Sequence, residues 1–171
     1  VPETLPPKYR LTGFDMRSAS VQEIKQELST LPAKELVQIC LRLSRFKKEN
    51  KELLTYLLFE AHNETAYIQT VKDEMDLLFE EINRSHFYFV KKSLRKILRF
   101  VSKHVRYTSS KTAEVEWLLH FCERFREMGL PYEQSPVLVN LYNGQLKKLY
   151  NAIDSLHEDL QYDYRRRLEK C

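Results

Sequence analysis

His120 stands four residues after Glu116 and three before Glu123. On a helix this spacing sets all three side chains on one face, where one imidazole and two carboxylates could hold a metal. A polar helix surface produces such triplets often, and nothing else in the chain asks for a metal. "HEDLQ" at residues 157–161 opens like a zinc-protease motif, but Gln161 stands where the second histidine is needed to reach the same ion. A di-iron bundle needs paired Glu-x-x-His motifs, and none occurs. There is no Gly-x-Ser-x-Gly elbow and no cysteine in an electropositive local setting. The only glycines, Gly13, Gly129 and Gly144, are too scattered to build a phosphate-cradling loop. The expectation is a protein that works by binding, not an enzyme, with no metal and no cofactor.

The residues that do carry a pattern are cations. "VKKSLRKILRFVSKHVR" at residues 90–106 holds seven lysines and arginines and no acid. At 100° per residue, Lys91, Lys92, Arg95, Lys96, Arg99, Lys103 and Arg106 fall within an arc of about 140°. Val90, Leu94, Ile97, Leu98, Val101 and Val105 take the opposite side, so this helix should bury one face and present a basic stripe on the other. Residues 84–111 contain nine basic residues and no acid, although the whole chain has a net charge of only +4.

Acids of the preceding helix could cancel that stripe. In a hairpin turning near Arg84 and Ser85, Asp76 and Glu80 should face Lys91 and Lys92, with Asp73 and Glu74 near Arg95 and Lys96. The same geometry leaves Arg99, Lys103 and Arg106 opposite Gln69, Thr70 and Thr65, where acid is sparse. Arg99, Lys103 and Arg106 are therefore the leading candidate contacts, with Lys96 and Arg95 beside them. An acidic protein partner is the expected ligand, and nucleic acid is the alternative for the same face. A membrane is disfavoured, because the helix needs its apolar side for the core.

The elements that must carry this stripe read as helices throughout. The chain has 171 residues, 43% hydrophobic and 30% charged, enough to bury a core. Its scarcity of glycine favours long helices over sheet turns. Apolar periodicity predicts helices near residues 21–29, 32–43, 51–62, 64–83, 87–107 and 112–128, then one long helix from Pro136 to the C-terminus. Ser155 and Glu158 could instead cap a separate last helix. Leu36, Ile39, Cys40 and Leu43 should face inward on the second helix, as should Leu53, Leu54, Leu57 and Leu58 on the third. Cys40 and Cys122 are expected as buried free thiols.

The expected fold is all-α: an antiparallel helical bundle or irregular αα-superhelix of about seven helices, with no sheet. Residues 1–19, with Pro2, Pro6 and Pro7, should form an extended arm, and residues 20–171 a single helical domain. The long last helix, partly heptad in spacing, is a candidate for homodimerisation. No signal segment or bilayer-spanning run is seen, so a cytoplasmic location is expected. The segment "LSTLPAKELVQICLRLSRFKKENKELLTYLLFEAHNE", residues 28–64, resembles the opening of uncharacterised all-helical bacterial proteins. That resemblance implies an all-α fold and brings no function with it.

Overall fold

The computed structural model describes residues 18–169, so the arm expected over residues 1–19 lies outside the described residues except for Ser18 and Ala19. The described residues form eight α-helices and no strand, as the periodicity requires. The chain divides into two units, residues 1–48 and 49–171.

In the first unit, α1 (Val21–Thr30) starts with a complete capping box. The Ser20 hydroxyl accepts from the Glu23 amide at 3.3 Å, and the Ser20 amide donates to the Glu23 carboxylate at 2.7 Å. Pro32 is the N-cap of α2 (Ala33–Phe46), one residue outside the first turn where the sequence pattern puts it. Neither helix contains a buried residue. Leu36 and Ile39 are half-buried, but Leu43 and Cys40 are exposed, which corrects the inward placement of both.

The second unit opens within α3 (Lys48–Thr55), which runs directly into a π-turn over Tyr56–Glu60. A π-turn takes more residues per revolution than an α-helix, so it rotates the stripe that follows it. Tyr56 is thereby buried while Leu57, Leu58 and Phe59 are all more than half exposed, so the inward reading of Leu57 and Leu58 is also corrected. Then follow α4 (Glu64–Glu80), α5 (Phe87–Thr108) and α6 (Lys111–Glu127). Gly129 stands just beyond α6 with φ of 61°, the left-handed conformation that glycine adopts without strain.

The core is organised around α6, which contributes eight buried residues. Val115, Trp117, Leu119 and Phe121 are fully buried. Trp117 donates its ring N–H to the Ile68 carbonyl at 3.1 Å, so the one polar atom of the indole is satisfied inside the core. Phe79 packs on Phe121 at 5.5 Å, tying α4 to α6. Phe125 stacks on Tyr142 at 4.7 Å, tying α6 to α7 (Pro136–Asp154).

The expected long C-terminal helix is broken. The Ser155 amide and hydroxyl both donate to the Ala152 carbonyl, at 3.1 and 2.7 Å, and the Leu156 amide donates to Ile153 at 2.9 Å. These tight i to i−3 bonds end α7, and the chain restarts as α8 (Glu158–Glu169). The Gln161 carboxamide closes the turn by donating to the carbonyls of Asp154 and Leu156. Tyr164 is buried and Leu168 packs on the same core. The seam suggested for homodimerisation is thus not continuous.

Candidate functional site

Local sequence sets the limits and the rotation of α5. His86 caps it, with Nδ1 accepting from the Tyr88 amide at 3.1 Å. The helix ends where Ser109 turns left-handed, at φ of 51°. Val90, Leu94, Ile97 and Val101 are all at most 2% exposed, which fixes the rotation of the helix and drives the cations outward.

Lys92, Arg95, Lys96, Arg99 and Arg106 are exposed, and none forms an ion pair with a described residue. Lys91 is half-buried, its ammonium 5.7 Å from the Tyr88 ring centroid. The acids expected to neutralise the stripe do not reach it. Asp76 faces α6, where it accepts from His120 at 2.7 Å and forms an ion pair with Arg124 at 2.9 Å. The near half of the stripe therefore makes no ion pair with a described residue.

Lys103 is the exception among the candidate residues. Its ammonium meets the Glu52 carboxylate of α3 at 2.7 Å, and the Tyr107 hydroxyl donates to the same carboxylate at 2.9 Å. A helix more than fifty residues upstream supplies the acid that the α4–α5 hairpin could not. Lys103 is held at the edge of the stripe, while Arg99, Arg106, Lys96 and Arg95 remain open to a partner.

Beyond Lys103 lies a cavity of about 360 Å³ lined in part by Tyr56, Tyr67, Phe100 and His104. The Tyr67 hydroxyl and His104 Nδ1 share a hydrogen bond at 2.7 Å. Burial first, and the nearby Lys103 second, push the His104 pKa down to about 4, so the ring is neutral at pH 7. Burial, with Tyr56 and two glutamates nearby, raises Tyr67 to about 12. Both side chains are then uncharged and make a packed aromatic wall.

On the other side of the stripe, α5, α6 and α7 enclose a groove of about 530 Å³. Leu98, Val101, Val105, Leu118 and Ala152 supply its apolar lining, and Arg106, Lys111 and Lys148 its charge. Sequence reading missed Lys111 and Lys148 because they come from two other helices. The pair "KK" at residues 147–148 was the one available signal.

The Glu116, His120 and Glu123 triplet is engaged otherwise. Glu116 accepts from Lys72 of α4 and from Tyr164 and Arg167 of α8, the last two at 2.7 Å. Burial alone would raise its pKa, but these three donors outweigh it and hold the carboxyl at about 2. No group of three or more His, Cys, Asp or Glu side chains that could hold a metal occurs among the described residues.

The chain matches no family model, and no curated protein or solved structure is similar to it.

Proposed function

We propose that this chain is a non-enzymatic helical interaction module that binds an acidic segment of a protein partner through the outer face of α5. The supporting observation is that Lys92, Arg95, Lys96, Arg99 and Arg106 all reach solvent without a carboxylate partner on the described residues. Like charges lined along one helix repel one another, and an acidic ligand relieves that repulsion while steering its own approach.

The alternative is nucleic acid on the same face. The aromatic residues of α5 argue for a protein partner. Phe100 and Tyr107 pack on His104, with ring centroids 4.4 and 5.6 Å from it, and the stripe cation over them is Lys103, which is already paired with Glu52. Only Tyr88 and Phe89, at one end, are exposed, so no run of rings is interleaved with the cations for bases to stack on. No helix among the described residues is long and apolar enough to cross a membrane.

Fluorescence anisotropy with a labelled acidic peptide, a single-stranded RNA and a duplex DNA of equal charge separates the two readings. The peptide should bind more tightly than either nucleic acid, with affinity reduced in a Lys96→Glu/Arg99→Glu variant. Tighter binding of the RNA or DNA, with a steep fall between low and high salt, would replace the protein partner with nucleic acid.

A further inference from the structure

The groove between α5, α6 and α7 combines two features seldom found together on a solvated surface. Its volume, about 530 Å³, lies in the range of roughly 300–1,000 Å³ typical of ligand sites. Its charge is one-sided. Glu114 is the one carboxylate among its lining residues, and it is paired with Lys111 at 2.9 Å. Arg106 and Lys148 face the same space and make no ion pair with a described residue.

Gln145 is the second, independent observation. It is only 8% exposed, it lines the groove, and its carboxamide makes no hydrogen bond to a described residue. Its carboxamide atoms are not sealed from water, so they keep the capacity to bond a ligand. The groove is the direction from which they can be reached. A carboxamide presents a donor and an acceptor side by side, the complement of a main-chain peptide group.

We propose that this groove seats an acidic peptide segment that carries one large apolar side chain. The apolar side chain lies on Leu98, Val105 and Ala152, Gln145 bonds the main chain, and flanking carboxylates meet Arg106 and Lys148. The inference rests on the reading of α5 as a surface for an acidic protein partner, and adds where that partner enters and what its sequence must contain. A nucleic-acid strand has no aliphatic side chain to fill such a floor, and the lining offers no ring for a base to stack on.

The test uses two short labelled peptides, both acidic, one with a central leucine and the other with serine in its place, titrated into the full chain. The leucine peptide should bind about tenfold more tightly, because only it can bury an apolar side chain. Lys148→Glu, at an exposed position that leaves folding intact, should weaken the leucine peptide about tenfold, and Gln145→Ala several-fold, with the helical circular dichroism unchanged in both. A Lys96→Glu/Arg99→Glu variant should weaken both peptides alike.

Equal affinity for the two peptides, with loss only in the Lys96→Glu/Arg99→Glu variant, would overturn the groove and leave the α5 reading standing. Binding of neither peptide, with or without binding of an RNA of equal charge, would overturn both.

Discussion

Replacing Glu116 by Gln tests how the last helix is held. The carboxylate accepts from Lys72, Tyr164 and Arg167, and its side chain is 15% exposed. In Glu116→Gln the new amide N–H₂ meets those donors, and two cations lose their countercharge. Breaking a buried pair costs about 3–5 kcal/mol. Arg167 is 45% exposed and can rehydrate, which reduces the expectation to about 2 kcal/mol. The pKa leads to the same order. A carboxyl moved from 4.5 to about 2 corresponds to about 3 kcal/mol, less once partial solvent access is allowed for. For a chain of this size, about 2 kcal/mol lowers Tm by about 6 °C. Because the folded pKa lies below the unfolded one, the contribution is fully present above about pH 4.5 and is lost as pH falls through about 2. Thermal unfolding followed by circular dichroism at pH 7, 5 and 2.5 should show a gap between wild type and variant that holds at pH 5 and narrows at pH 2.5. A Tm shift under about 1 °C at pH 7, or a gap that stays constant down to pH 2.5, would refute this reasoning.

Three further outcomes follow from the geometry. Glu52→Gln should free Lys103 and leave Tyr107 with a weaker acceptor, lowering stability by about 1 kcal/mol; faster amide exchange confined to α3 would verify it. Ser109→Gly should relieve left-handed strain at φ of 51°. Net of glycine's greater unfolded freedom, the gain should be about 0.5 kcal/mol in denaturant unfolding. His104 should remain neutral on acidification until about pH 4, well below an ordinary histidine, when its ring resonances are followed by NMR. Stability tied to that neutral ring is complete above the ordinary histidine range and falls away as the pH approaches 4.

The amphipathic rotation of α5 was readable in the sequence, because one continuous α-helix with one buried side obeys a single period. Val90, Leu94, Ile97 and Val101 alone place Arg95 and Arg99 in solvent. The end of α7 was hidden for the same reason: the apolar steps Ile153, Leu156 and Leu160 run across a turn that Ser155 closes with i to i−3 bonds. Leu57 and Leu58 misled because a π-turn changes the angle per residue, and no local signal announces it. Partnerships between distant helices were out of reach altogether. Glu52 meets Lys103, Glu116 meets Arg167, and Gln145 opens toward Arg106 only because the core docks those helices together.

The account turns on the surplus of positive charge along α5, and amide-shift mapping by NMR addresses it most directly. Isotope-labelled protein would be titrated with an acidic peptide. Amide shifts concentrated at Lys92, Arg95, Lys96, Arg99 and Arg106, and abolished in an Arg95→Glu/Arg99→Glu variant, are the predicted result. Shifts centred elsewhere, or unchanged by the charge reversal, would contradict it.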